Sequence, residues 1–254
     1  MTADEILEVL HRAADRVVAA LAVGVDWGPS GLRSGQYASD LVADAAVLEV
    51  LGQAGIRVLS EESGLGAGHG DDLGAWPVAV VDPLDGSTNA SIGLPWFATS
   101  LCVVDAAGPL VAVVHDHASG DRFEAVRGGG ARRNGQALAR RPGIAMADAI
   151  VAVNGVPPTD AGWAQFRCMG ATALDLCAVA DGRFAAYVDF DGGLGVWDYL
   201  GALLICAEVG VEMVDAEGRE LVVVDHLARR SPIAAPSALL GALATLRTGE
   251  APAN

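Results

Sequence analysis

The sequence predicts an α+β part followed by an α/β part, and three patterns carry that expectation. Two helix-period segments open the chain, short β-branched runs broken by Gly, Pro and Asp fill its middle, and strands alternate with helices after Pro142. The first part is expected to span residues 1–143 and the second 144–254, joined near 140–148.

Residues 4–22 place Ile6, Leu10, Ala13, Ala14, Val17 and Leu21 on one stripe, as an amphipathic helix does. Residues 27–39 are rich in Gly and Ser and read as a loop. A second helix is expected from Ser39 or Asp40, with Leu41, Ala45, Leu48 and Leu51 inward and Gly52 or Gly55 near its end. Residues 58–59, 78–81, 99–104, 110–115 and 123–126 read as strands. Ala106-Ala107-Gly108-Pro109 and Asn134-Gly135 are turn signals that predict antiparallel hairpins. Gly128-Gly129-Gly130 reads as a bulge or tight turn, since no helix pattern follows it as a nucleotide loop would require. Further on, 150–153, 184–188 and 233–235 are strand-like, while 171–180, 197–209 and 237–246 are helix-like. No internal repeat is visible.

Composition narrows the class. Hydrophobic residues make up 52% and charged residues 19%, which is globular rather than disordered. All 16 basic residues are Arg, a bias we ascribe to genomic base composition. A net charge of −16 argues against nucleic acid or an anionic membrane as the main partner. It would also repel an anionic substrate unless bound divalent cations inverted the field locally. The four cysteines (Cys102, Cys168, Cys177, Cys206) lack C-x-x-C spacing and read as buried free thiols of a reducing compartment. Met1-Thr2-Ala3-Asp4-Glu5 does not resemble a signal peptide, and no apolar run reaches the about 18 residues of a membrane span. A cytoplasmic location is expected.

The chemistry concentrates in Asp82-Pro83-Leu84-Asp85-Gly86-Ser87-Thr88-Asn89. Pro83 cannot donate to a ladder, so a buried strand should end at Asp82. Asp82, Asp85 and the Leu84 carbonyl offer hard oxygens suited to Mg²⁺. Gly86-Ser87-Thr88 would then open a turn or helix whose free N–H groups suit a phosphate. Alone, the string is equally a capped turn. Three further acids stand elsewhere: the Glu61-Glu62 pair after Val58-Leu59, Asp198 at a helix start, and Asp44 inside the second helix. Each has a plainer reading too, respectively a solvated loop, an N-cap and an exposed helix face.

Together, Asp44, Glu61-Glu62-Ser63, Asp82 to Asn89 and Trp197-Asp198 resemble the inositol monophosphatase family of metal-dependent phosphatases, over nearly the whole chain. The resemblance implies a layered αβαβα sandwich, typically a homodimer, often inhibited by lithium. It implies that Glu61, Asp82 and the Leu84 carbonyl hold one Mg²⁺, that Asp82, Asp85 and Asp198 hold a second, and that Glu61 helps hold a third. Gly86, Ser87 and Thr88 would bind phosphate, and the Ser87 hydroxyl, oriented by Asp44, would position the attacking water with Glu61 assisting. Asp85, Gly170, Ala171 and Asp191 would contact substrate; Asp191 also heads a strong turn signal, and Gly170 also suits a helix N-terminus. The family commonly has Thr at Ser87 and a Lys in the first interhelical loop, where the nearest cation here is Arg33.

The implied function is Mg²⁺-dependent hydrolysis of a small polyol phosphate, with inositol monophosphate first and histidinol phosphate or a sugar or nucleotide bisphosphate as alternatives. Arg167 and Arg183 could bind a second phosphate, though both also read as surface residues. From another class comes an idle family member serving as a binding or scaffold protein. A phosphatase with an Asp nucleophile would need D-x-D-x-T, a P-loop is absent, and an EF-hand at Asp189 would need Glu where Leu200 stands.

Overall fold

The computed structural model describes residues 1–66, 77–139, 143–158 and 161–248. Two helices, α1 (Ala3–Leu21) and α2 (Ala38–Gln53), precede strands β1 (Arg57–Ser60), β2 (Gly64–Leu65) and β3 (Val78–Asp85). A short helix α3 (Ser87–Ser91) leads into β4 (Ala98–Asp105), β5 (Gly108–Asp116), β6 (Arg122–Val126), β7 (Gly130–Arg133) and β8 (Gln136–Ala137). Then come β9 (Ile150–Asn154), β10 (Gln165–Arg167), α4 (Thr172–Asp181), β11 (Ala186–Asp189) and α5 (Val196–Glu208). The chain closes with β12 (Glu212–Asp215), β13 (Pro232–Ala235) and α6 (Ser237–Thr248).

The strands form two sheets. One has eight strands in the order β2-β1-β3-β4-β5-β6-β7-β8, the other five in the order β10-β9-β11-β13-β12. Three apolar cores glue five layers together. Ile6, Leu10, Val17, Val47 and Leu51 of the first two helices pack on one face of the large sheet. Leu174, Leu176, Leu200 and Ile205 of α4 and α5 fill the space between the two sheets. Leu239 and Leu243 of α6 close the far face of the small sheet against Val151, Val188 and Ile233. The result is the αβαβα sandwich. In β3, Val78 and Val80 face the middle core while Ala79 and Val81 face the outer one. Burial on both faces explains why that strand reads as an unbroken apolar run.

Local signals act as expected in most elements. Thr2 and Glu5 form a reciprocal capping box at the start of α1. The 106–109 and 134–135 turns join β4 to β5 and β7 to β8, both antiparallel. Gly128 to Gly130 turns the chain from β6 to β7, with the Glu208 carboxylate accepting the N–H groups of Gly128 (2.7 Å) and Gly130 (2.8 Å).

Two expectations need revising, and two strands carry no signal in the sequence. In α2 the inward residues are Ser39, Asp40, Ala43, Asp44, Ala46, Val47 and Leu51, whereas Ala45 is exposed and Leu41 and Leu48 are only half-buried. Strands β10 and β12 carry no strand signature because they are edges: β10 is exposed at all three residues. Cys168 is exposed, unlike the other three thiols. The expected junction at 140–148 begins in 140–142, outside the described residues. Among the described residues no helix is long and apolar enough to cross a membrane.

Candidate metal and phosphate site

Strand pairing brings the first two acids together. β1 runs parallel to β3 with Ser60 opposite Val81, and the Glu61 N–H donates to the Val81 carbonyl at 3.0 Å. Glu61 and Asp82 therefore leave the carboxyl edge of the sheet side by side. The β3–β4 register then shifts between Asp82 and Asp85, where Pro83 interrupts the ladder. Asp82 Oδ1 accepts the Leu84 N–H at 3.0 Å and bends the chain. The Thr99 hydroxyl donates to the Pro83 carbonyl at 2.8 Å and lies 2.8 Å from His117 Nε2. With its own proton committed to Pro83, Thr99 must accept from His117, which assigns the Nε2–H tautomer.

Asp198 arrives from the other side of the middle core, in the first turn of α5. Its Oδ2 accepts the Gly195 N–H at 2.6 Å, so the acid caps its own helix. Gly195 is required sterically, since a Cβ there would lie 2.3 Å from Trp197 Cε2. The outcome is a set of oxygens from Glu61, Asp82 and Asp198 that all lie within 4.8 Å of one another. Asp85 stands outside that triangle. Its Oδ2 accepts the Ala173 N–H at 2.7 Å at the start of α4, yet its charge is felt by both Asp82 and Asp198.

All four carboxyls are pushed above the usual range, chiefly by burial. Mutual repulsion then adds to each: Asp198 acts on Glu61, Glu61 on Asp82, Asp175 on Asp85, and Asp85 on Asp198. Such a cluster of acids suits a divalent metal ion, because hard oxygens at this separation are what one needs. Glu61, Asp82 and Asp198 would hold it, with the Leu84 carbonyl and Asp85 at hand.

Ser87 does not meet Asp44. The Asp44 Oδ1 instead accepts the Ser60 hydroxyl at 2.5 Å, and Ser63 also holds it; burial still raises its pKa. The acid that faces Ser87 is Asp40, one helical turn earlier. Burial raises the Asp40 carboxyl to about 6, against the Tyr37 N–H (2.8 Å to Oδ2), with Glu62 raising it further and Ser87 drawing it down. Asp40 Oδ1 is buried and makes no full hydrogen bond. Arg33 and Gln36 both bind the Glu62 carboxylate, fixing the loop ahead of α2 over this wall.

The anion side is built by Gly86. It takes a left-handed conformation (φ 79°), and a Cβ there would meet Ala171 Cβ and the Trp96 carbonyl at 2.9 Å. Gly170 and Ala171 thus abut the turn directly. Asn89 clamps it by donating to the Trp96 and Met169 carbonyls, each at 2.8 Å. Thr88 is exposed, its hydroxyl 3.3 Å from the Tyr37 hydroxyl. Asp191 sits on an exposed turn after β11, which the Asp189 carboxylate holds by accepting the Asp191 and Gly192 N–H groups.

The family model for the inositol monophosphatase family matches residues 36–250. The chain belongs to the inositol monophosphatase family. It is 33% identical over 211 residues to the Nus factor SuhB of Pasteurella multocida, covering 76% of each chain. It is 31% identical over 194 residues to the fructose-1,6-bisphosphatase/inositol-1-monophosphatase of Archaeoglobus fulgidus, covering 72% of this chain and 71% of that one. In fold it is similar to the inositol monophosphatase from Anabaena, with a TM-score of 0.80 at 22% identity, covering 98% and 97%. The family is one of metal-dependent phosphatases acting on small phosphate esters.

Within this family frame the sequence reading missed two wall residues, His226 and Arg229. Arg33, His226 and Arg229 line a cavity of about 310 Å³ shared with Asp40, Glu61 and Ser87. His226 Nε2 lies 3.0 Å from the Glu61 carbonyl, and its ring tilts against Trp197 at 4.9 Å. The residues 225–230 carry no motif, so only the three-dimensional structure could show them here. Asp40 did leave a signal: it sits in the first helical turn, at the end nearest the site loop.

Proposed function

We propose that this protein hydrolyses a small polyol phosphate monoester in a Mg²⁺-dependent reaction, with inositol monophosphate the first substrate to try. The observation that carries the reading is the Glu61–Asp82–Asp198 triangle of oxygens within 4.8 Å, set beside Ser87 and Asp40 in one cavity. When bound, the cation supplies Lewis-acid stabilisation of charge on the phosphoryl and leaving oxygens, and makes water acidic enough to attack near neutral pH. The chain does the rest by positioning. Gly86 and Ser87 offer N–H groups to the phosphate, and the Ser87 hydroxyl holds the attacking water. Asp40, with a free Oδ1 and a pKa of about 6, takes up the proton through Ser87. Asp85 fixes the substrate side by tying the motif to α4. Family likeness adds a homodimer, a cytoplasmic location and lithium inhibition to the proposal.

The test is phosphate release from a panel of esters, including inositol monophosphate, fructose bisphosphate and histidinol phosphate, with Mg²⁺ and with chelator. Metal-dependent release is expected. A protein inert to the whole panel would sink the reading and favour a binding role, the direction in which a relative named a Nus factor points.

A further inference from the structure

Arg229 lines the cavity, held by carbonyls and an aromatic ring. Arg167, Arg230 and Arg247 also bind carbonyls and pair with no described acid, but they do not line this cavity. Arg16, Arg122, Arg127, Arg133, Arg183 and Arg219 each pair with an Asp or Glu. Arg33 does so as well, through Glu62. Arg229 has no carboxylate at ion-pair distance among the described residues. Its Nη1 donates to the carbonyls of His226 and Ala228, each at 2.9 Å, and its guanidinium carbon lies 5.2 Å from the centre of the Trp197 ring. Two carbonyls and an aromatic face thus hold the group in place, while Nε and Nη2 make no hydrogen bond to any described residue. Trp197 directly precedes Asp198, so this held cation borders the acid triangle and lines the same cavity.

A planar, always-charged fork with unused donors is the group best suited to a second phosphate or carboxylate. Its stacking on indole adds rigidity, so little conformational freedom is lost when an anion binds. In a chain of net charge −16, a cation on the cavity wall that forms no ion pair with a described acid, and acts on Asp198 only at longer range, can take a bound anion as its counter-charge.

We propose that Arg229 forms a second anion-binding position in this cavity, so that the preferred substrate is a polyol ester with a second anionic group. This rests on the phosphatase reading above. The competing role for Arg229 is compensation of Asp198 alone, which would be blind to the substrate's second charge.

The experiment compares wild type with Arg229→Gln, an exposed position where the fold should survive, on matched esters with one phosphate, two phosphates, or a phosphate and a carboxylate. Wild type should favour a bis-anionic ester. Arg229→Gln should lower the ratio of kcat/KM for bis-anionic over mono-anionic esters at least about tenfold, mainly through KM, with partial rescue by Arg229→Lys. An unchanged ratio overturns the proposal, whatever happens to the absolute rates. The phosphate and carboxylate arms identify which anion is taken. Calorimetric binding of an alkane bisphosphonate against the matching monophosphonate, with Mg²⁺ present, gives a readout free of turnover. If wild type hydrolyses nothing, the phosphatase reading fails by itself; tighter bisphosphonate binding that Arg229→Gln abolishes still supports the second anion position, and equal binding of the two phosphonates overturns it.

Discussion

Asp40 faces Ser87 across the wall of the cavity, and Asp44, four residues later on the same helix, faces Ser60 instead. Both acids are buried, but only Asp40 keeps an oxygen without a full hydrogen bond. The two therefore separate cleanly by experiment. Asp40→Asn should lower kcat by about 10²–10⁴-fold with a modest change in stability, as loss of a proton acceptor does. Asp44→Asn should cost about 1–3 kcal/mol of stability, read by urea denaturation, with kcat much less affected. The reverse pattern would return the catalytic role to Asp44.

Metal should govern stability through the same acids. Carboxyls with raised folded pKa values contribute stability that is fully present below the unfolded value of about 4 and is lost as pH rises through the folded one. In chelator at neutral pH the triangle thus weakens the fold. Mg²⁺ at 100 times its Kd should restore about 2.7 kcal/mol, visible as a rise in Tm. Glu61→Gln should raise Tm in chelator and abolish the Mg²⁺-induced rise. A Tm indifferent to Mg²⁺ would remove the metal assignment.

His117 gives the opposite pH signature. Burial lowers its pKa to about 3, with His115 at 4.9 Å and Arg122 adding to the effect. A lowered folded pKa means the unfolded chain binds the proton first. The contribution is full above the unfolded value of about 6.5 and falls as pH drops towards 3, by about 1.4 kcal/mol per pH unit. In denaturation series from pH 7 to 5 with Mg²⁺ present, His117→Gln should gain on wild type as pH falls. A constant difference would show that His117 does not titrate in this way.

Gly86 is demanded twice over, by a φ of 79° and by neighbours at 2.9 Å. Gly86→Ala should cost about 1–2 kcal/mol for the left-handed conformation alone. It should also push Ala171 and the Trp96 carbonyl away, reducing activity beyond what the stability loss explains. Wild-type activity in a well-folded variant would contradict the turn's placement.

Much of this was legible in the sequence because local chemistry and topology agreed. Pro83 interrupts the ladder where Asp82 must emerge, although β3 runs on to Asp85 instead of ending at Asp82 as the proline suggests. A run ending in Glu61 is of the right kind to lie beside Asp82. The phase of α2 was not legible. Leu41, Val42, Ala43, Ala45, Ala46, Val47 and Leu48 make the helix apolar nearly all round, so periodicity selects no face. Asp40 and Asp44 sit one turn apart on that same face, and only the tertiary position of Ser87 distinguishes them. Arg229 and His226 come from an irregular segment whose role is set by where β13 brings it. The edge strands β10 and β12 owe their conformation to a partner strand, not to any alternation of their own.

The Ala173 N–H bond to Asp85 reaches beyond chemistry. Asp85 caps α4, Asp198 caps α5 and Asp82 bends the chain at Leu84, so three of the acids hold the architecture together with or without a reaction. A descendant that abandoned catalysis would still be under pressure to keep them, for folding alone. The Glu61 carboxylate makes no hydrogen bond to any described residue, and its retention has no such excuse. Glu61 is therefore the position whose loss would first betray a silenced relative.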